Sequence, residues 1–323
     1  MVRISYHASH EQFAPSRLVS LAVAAESAGF DAVFCSDHLQ PWAPEQGHAG
    51  HTWTWLGAAM QATRRVSFGT ITVPGGWRYH PVPLAHAIAT LGEMFPGRLP
   101  WLAFGSGEAV NEATVGAGWP DKAERNERLR EGVDIVRRLL AGQTVDGGGA
   151  VRAEGARLWD LPTVPPLLFG AAMSEATARA VGAWADGLLT VARDLPRLER
   201  VIAAFREGGG EGKPVHVKLD VNWGADDETA LQEAWQHWRF NALDSETNTT
   251  LRQPADFVAA TAGLRPADIH AHVLVSNDPG RHIAHIDACQ ALGVASIDVH
   301  QVGLDQLGFI DAYAARVLPH CRD

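Results

Sequence analysis

The chain has 323 residues, 46% of them hydrophobic, and a formal net charge of -10; this composition supports a packed core and gives little electrostatic reason to bind nucleic acid or an anionic membrane. Three scattered cysteines, Cys35, Cys289 and Cys321, argue against a disulfide framework or a thiolate metal site and fit a reducing compartment. No apolar run reaches the roughly 18 residues of a bilayer span, and the first residues open on a strand pattern without the apolar core of a signal peptide, so a soluble, cytoplasmic protein is expected.

Strand and helix patterns alternate along the chain. A short strand is predicted over residues 3–8. Residues 16–29 read as an amphipathic helix, with Leu18, Leu21, Ala22 and Ala25 at helical spacing and Gly29 closing it. A second apolar strand covers 31–35, and a loop rich in His, Pro and Gly runs to His51. Helix 52–62, strand 66–73, helix 83–95 and strand 99–104 follow, with Pro96-Gly97 stopping the helix. Residues 116–166 are the least regular. They hold a charged helix over 121–140, whose Arg and Glu face reads as solvated, and a turn at Gly147-Gly148-Gly149. Alternation resumes with strand 166–170, helix 175–185, strand 187–191, helix 195–207, strand 215–222 and helix 228–242. A loop and short helix occupy 244–262. Helix 279–292, strand 296–299 and helix 305–318 complete the pattern. Near-continuous apolar strands separated by helices are the mark of a parallel sheet covered on both faces. The expected fold is α/β: a single (β/α)8 TIM barrel over residues 1–323, with an insertion at about 116–166 after strand 4.

The stretch Arg98 to Glu112, RLPWLAFGSGEAVNE, is the most informative. It reads as a buried strand, a Gly-Ser-Gly turn and a helix start. Gly105 and Gly107 either make a tight turn or let backbone amides approach a ligand. Val110 stands where a dinucleotide fingerprint needs its third glycine, so that site is disfavoured. In a barrel, strand ends meet at one mouth. That brings together His7 or Ser9, Asp37, His38, residues 70–73, Ser106, Gly107, Glu108, Gly170, Ala171, Ala172, residues 191–193, Asn222, Trp223 and His300. A carboxylate near imidazoles suits acid–base work, and aromatic walls suit a planar heterocycle. Taken alone, His38 reads more readily as a hydrogen-bonded loop residue, and Trp42 equally as a packing residue. His282 and His285 lie one turn apart on a helix, and His270 and His272 alternate along an expected strand. Neither pair has a third donor, so exposed polar histidines and no metal are expected.

The run Ser36-Asp37-His38-Leu39-Gln40-Pro41-Trp42, followed by Gly47-His48-Ala49, resembles the active-site loop of the luciferase-like flavin oxidoreductases. The branch it is most similar to is that of the deazaflavin (coenzyme F420)-dependent glucose-6-phosphate dehydrogenases. Arg78-Tyr79-His80-Pro81, the run from Gly105 to Glu112, and Ala185-Asp186-Gly187 fit the same branch. The opening run from Tyr6 to Phe13 and Pro120-Asp121-Lys122-Ala123-Glu124-Arg125-Asn126 resemble a sister group of flavin enzymes no longer tied to the deazaflavin.

The resemblance implies FMN or coenzyme F420 as cofactor, a small-molecule substrate and a homodimer. It gives Asp37 a contact to the cofactor ring, makes His38 the base for a substrate alcohol, has Trp42 wall the substrate pocket, and makes Glu108 an acid or electrostatic partner near the ring. Ile71 and Thr72 match the family's non-proline cis peptide behind the ring. Ser106, Gly107, Asn111, Gly170, Ala171 and Ala172 are expected to line the cofactor, with its phosphate near the helix opened by Ser174; Ser174 reads just as naturally as a plain helix cap. Where the sugar-phosphate enzymes place cations, this chain has Ala271, Leu307 and residues 191–194, of which only Arg193 is cationic. Glucose 6-phosphate is therefore rejected as substrate. Trp42, Trp53, Trp55, Trp77 and Trp223 suggest an aromatic pocket for a neutral compound. An FMN-dependent monooxygenase and a flavin-binding protein without turnover are the alternative readings.

Overall fold

The computed structural model describes residues 1–75 and 78–322. Its strands are β1 (Arg3–Ala8), β2 (Ala32–Cys35), β3 (Ser67–Thr70), β4 (Val73–Pro74), β5 (Trp101–Gly105), β6 (Val145–Gly148), β7 (Arg152–Ala156), β8 (Leu167–Ala171), β9 (Leu188–Val191), β10 (Val215–Asn222), β11 (Leu274–Val275) and β12 (Ser296–Gln301). Its helices are α1 (Pro15–Ala28), α2 (Thr52–Ala62), α3 (Pro81–Met94), α4 (Ala109–Glu112), α5 (Lys122–Leu140), α6 (Glu175–Gly182), α7 (Leu195–Phe205), α8 (Asp227–Trp238), α9 (Ser245–Thr250), α10 (Pro254–Ala260), α11 (Pro279–Ala291) and α12 (Gln306–Arg316).

Ten of these strands form one sheet in the order β3-β2-β1-β12-β10-β9-β8-β5-β4, with β11 added beside β10. Every pairing in it is parallel. The two ends of the path, β3 and β4, are separated in the chain only by Ile71 and Thr72. Phe68 N–H donates to the Arg98 carbonyl just before β5, so the sheet closes on itself as a TIM-type barrel. The α/β barrel expected from the alternation is the fold.

Local chemistry explains the element limits. Pro15 opens α1, and Gly29 ends it in the left-handed region with φ 93. Asp121 caps α5 by accepting from the Glu124 N–H. That charged helix is solvated on one side and packs Leu129, Val133, Val136 and Leu139 inward, against α3 and β5. Between it and β8 the chain forms the antiparallel β6–β7 hairpin. Inside the barrel, away from the mouth, Phe34, Trp101 and Phe169 stack in sequence at 4.3 and 5.0 Å between ring centroids, with His216 set edge-on to the last two. Burial pushes the His216 pKa down to about 3.

Three local expectations are corrected, and one short strand is new. Strand 66–73 is two strands, because the chain breaks its ladder at the Ile71–Thr72 peptide, which is cis as the resemblance implied. Helix 228–242 gives way to a 3-10 turn at Arg239–Ala242. His270 and His272 lie on no strand: they sit in and after the 3-10 helix Pro266–Ala271, which Pro266 starts. The strand that follows, β11, has only two residues and too little pattern to be read. No helix among the described residues is long and apolar enough to cross a membrane.

Candidate active site at the barrel mouth

Three strands deliver their functional side chains in the same way. β1 ends at Ala8, β2 at Cys35 and β5 at Gly105, and Glu11, His38 and Glu108 each follow three residues later. They converge. His38 Nε2 lies 3.4 Å from Glu11 Oε1 and 3.6 Å from Glu108 Oε2. Its Nδ1 lies 3.1 Å from the Gln40 carbonyl, an acceptor, and 3.2 Å from Asn111 Nδ2, a donor. Nε2 faces the two carboxylates. Asn111 fixes the loop: its Oδ1 accepts from the Leu39 and Gln40 N–H groups at 2.9 and 3.1 Å, and its Nδ2 donates to Glu108 at 3.4 Å.

The two carboxylates differ. Glu11 is buried, and Oε2 accepts from Ser9 Oγ at 2.9 Å and Ser36 Oγ at 2.6 Å. Burial acts to raise its pKa, but His38 and the Ser36 hydroxyl outweigh burial and hold it at about 2. Glu108 keeps 30% of its side chain exposed. Its pKa is raised, by desolvation first and by Glu11 and Glu112 nearby, while His38 opposes the shift. One carboxylate is a fixed charge, and the other is poised to exchange a proton.

Asp37 belongs to a neighbouring network. Its Oδ1 accepts from Arg78 Nη1 and the Tyr79 hydroxyl, each at 3.1 Å, and Arg78 also donates to the Asp37 carbonyl at 2.7 Å. The same guanidinium reaches Glu112 Oε1 at 3.2 Å. Asp37 Oδ2 is buried and has no partner among the described residues. Burial presses the Arg78 pKa down, but Asp37 and Glu112 raise it above its ordinary value.

Beyond His38 stands Trp42, 4.6 Å away between ring centroids and edge-on to Phe257 at 5.2 Å. Trp42, Trp238, Phe240, Asn241 and Asn248 line a small cleft. The other expected tryptophans do not line it. Trp53 and Trp55 face the core from α2, because α2 buries that side on the barrel. Trp223 packs on His282 and Tyr313. Trp77 lies outside the described residues. Trp238 had no sequence signal, since α8 carries it on its last turn.

The remaining expected cofactor residues ring the mouth. Thr72 and Ile71 are half-buried, and Ile71 packs on the cluster of Phe34, Trp101 and Phe169. Ser106 and Gly107 are half-buried at the end of β5. Gly107 has φ 77, and a Cβ there would come within 2.8 Å of Glu112, so only glycine suits the turn. At Gly170 a Cβ would meet Val181, which gives this glycine a strand–helix packing reason. Ala171 and Ala172 follow at the end of β8. Ser174 caps α6, with Oγ accepting from the Thr177 N–H at 3.4 Å.

Among the described residues no three His, Cys, Asp or Glu side chains are grouped to hold a metal. His282 is not exposed as expected: it is sealed between the Tyr313 hydroxyl at 2.7 Å and the Ser276 carbonyl at 3.0 Å. Residues that carried no assignment in the sequence are Glu11, Arg78, Tyr79 and Glu112 at the site, and Lys218 and Asp220 deeper in the barrel. For Glu11 a signal existed, the same three-residue offset from a strand end that places His38 and Glu108.

The arrangement offers an imidazole between two carboxylates, one of them with a raised pKa, beside an aromatic cleft. The orphaned Asp37 oxygen and the glycine turn at Gly107 suit a planar ring bearing N–H donors. The family model described as luciferase-like monooxygenase matches residues 1–296. An F420-dependent glucose-6-phosphate dehydrogenase of Beutenbergia cavernae is 38% identical, over 100% of this chain and 98% of that protein. The enzyme of the same name from Mycobacterium tuberculosis is 32% identical, over 99% and 98%. A solved structure, an F420-dependent secondary alcohol dehydrogenase in complex with an F420–acetone adduct, superposes with a TM-score of 0.92 at 27% identity, covering 100% of this chain and 99% of the other. A type II Baeyer–Villiger monooxygenase in complex with FMN shares the fold, with a TM-score of 0.71 at 17% identity.

Proposed function

Because the chain belongs to the luciferase-like monooxygenase family, we propose that it is a deazaflavin-dependent oxidoreductase that interconverts a small, neutral secondary alcohol and its carbonyl compound. The observation that carries this reading is the His38 ring, its Nε2 set between Glu11 and Glu108 and its centroid 4.6 Å from that of Trp42. The secondary alcohol dehydrogenase named above, at 27% identity, supports it.

In this reading Asp37, the Ile71–Thr72 backbone, Ser106, Gly107 and Asn111 hold the ring system. Gly170, Ala171 and Ala172 line the chain beyond it, and the N-terminus of α6 at Ser174 receives its phosphate. When bound, the deazaflavin supplies the hydride acceptor. His38 Nε2 takes the proton of the substrate hydroxyl, which raises electron density on the carbinol carbon. Glu11, ionised and buried, stabilises the imidazolium. Glu108 answers charge that develops on the ring side and exchanges a proton with solvent through its exposed face. Trp42 and Phe240 exclude water from the reacting carbon.

The test is a titration with the deazaflavin and with FMN, read by absorbance, followed by a panel of neutral alcohols, aldehydes and sugar phosphates. The reading predicts deazaflavin binding and its reduction by neutral secondary alcohols. Turnover only with FMN and oxygen would make the protein a monooxygenase. Binding without turnover of any substrate would make it a flavin carrier. A homodimer belongs to the same reading and is checked by light scattering. A cytoplasmic location also belongs to it and is checked by fractionating cells that express the chain.

A further inference from the structure

A second cluster of ionisable groups lies behind the aromatic cleft. Lys218 and Asp220 stand two apart on β10, hence on one face of the strand. The Lys218 ammonium donates to Asp220 Oδ1 and lies 3.1 Å from His300 Nδ1. Gln12 settles the His300 tautomer. Its Nε2 donates to the Val302 carbonyl, so its Oε1 accepts from His300 Nε2 at 2.9 Å. His300 Nδ1 then faces both the Lys218 ammonium and Asp220 Oδ1, the latter at 2.9 Å. Asp220 Oδ2 accepts from Asn241 Nδ2 at 2.9 Å, and Asn241 lines the cleft. The ammonium rests 5.0 Å from the ring centroid of Trp238, another cleft residue.

The charges cancel inside this cluster. Burial pushes the His300 pKa down to about 3, so the ring is neutral. Burial acts to raise the Asp220 pKa, but Lys218 and His300 hold it far below the carboxylate range, so it is ionised. Lys218 is 15% exposed against 6% for Asp220 and 0% for His300, which makes it the member nearest to solvent. Two other cations lie near: Arg239 stacks over the cleft residue Phe240 at 4.8 Å and pairs with Glu45 at 3.5 Å, and Arg193, beyond the end of β9, faces Asp194 and Arg281.

We infer that Asp220 is a specificity-determining residue: by pairing with Lys218 it removes the free cation from behind the Trp42–Trp238 cleft, and so admits neutral alcohols while turning away phosphorylated ones. The inference rests on the proposed function and names the feature that sets its substrate class. Without the Asp220 charge, the ammonium beside Trp238 becomes an anion site in an aromatic wall, where a charge-assisted contact to phosphate is strong.

The experiment is calorimetric titration of inorganic phosphate into the wild-type protein, Asp220→Asn, and the Lys218→Met/Asp220→Asn double variant, without cofactor or turnover. Asn at this position keeps an oxygen for Lys218, and the Asn241 amide can flip to meet its NH2. Asp220→Ser serves as a second uncharged variant if the first does not fold. The expected result is phosphate binding about tenfold or more tighter in the single variants than in wild type, and lost again in the double variant. The inference is overturned if both single variants bind phosphate no better than wild type. It is equally overturned if wild type already binds as tightly as they do, whether Lys218→Met or Arg193→Ala abolishes that binding. Failure of every alcohol to reduce the deazaflavin would instead remove the proposed function and leave the phosphate comparison standing.

Discussion

His38 and His300 each stand beside a carboxylate within the same barrel, and they differ in what remains once their hydrogen bonds are counted. His300 is fully buried, with both ring nitrogens engaged, one by Gln12 and the other by Lys218 and Asp220. His38 has one nitrogen fixed by Gln40 and the other facing two carboxylates beside a cleft. The first arrangement is a closed charge balance, suited to setting an electrostatic background. The second sets a ring nitrogen between two carboxylates beside a cleft, where a proton can be passed on. The same residue types thus serve different ends, and access decides which.

The largest expected effect breaks the open member of this pair. His38→Ala should lower kcat by about 10²–10⁴-fold, the usual worth of a positioned base, with the melting temperature little changed. Steady-state kinetics alongside a thermal melt checks it. Next comes the buried support of the site. Arg78→Met leaves Asp37 and Glu112 without their shared cation, and loss of one partner of a buried ion pair costs about 3–5 kcal/mol. Urea denaturation should show a loss of that size.

A pH series sharpens the comparison further. His10, His216, His282 and His300 are held neutral by burial, with pKa values of about 4, 3, 4 and 3. The unfolded chain takes up these protons first, so stability falls as pH drops from 6.5 toward about 3. Glu11, held at about 2 against an ordinary 4.5, adds a loss between those two values. Chemical denaturation across this range should give a steadily falling midpoint; a flat profile would show that these histidines are not buried neutral. The smallest effect is at the rim. Ser174→Ala removes the α6 cap and should cost about 1 kcal/mol, while also weakening deazaflavin binding if the phosphate docks there. A melt and a cofactor titration separate the two roles.

Much of this was legible in the chain. Strand β10 is read to the residue, because its apolar run is long and bounded by Pro214 and a loop. The division of β3 from β4 was not legible as a break, since Phe68, Ile71 and Val73 continue the apolar pattern across it. At the site the loop motifs pointed to His38, Trp42, Glu108 and Asn111, which lie within contact of one another, and to Asp37, which joins the adjoining Arg78 network. Lys218 and Asp220 escaped notice because a charged pair inside a strand reads as a solvated edge until closure of the barrel turns that face inward. Trp53 and Trp55 misled for the opposite reason: proximity to a strand end says nothing of which helix face a residue takes.

The most direct test of the account is a single-turnover experiment. The protein loaded with oxidised deazaflavin is mixed with isopropanol, either unlabelled or deuterated at its carbinol carbon, and the cofactor's visible absorbance is followed in wild type and His38→Ala. The account predicts bleaching by isopropanol, slower with the deuterated alcohol, and lost or greatly slowed in the variant. Bleaching by glucose 6-phosphate with none by isopropanol, or equal rates in wild type and His38→Ala, would contradict it.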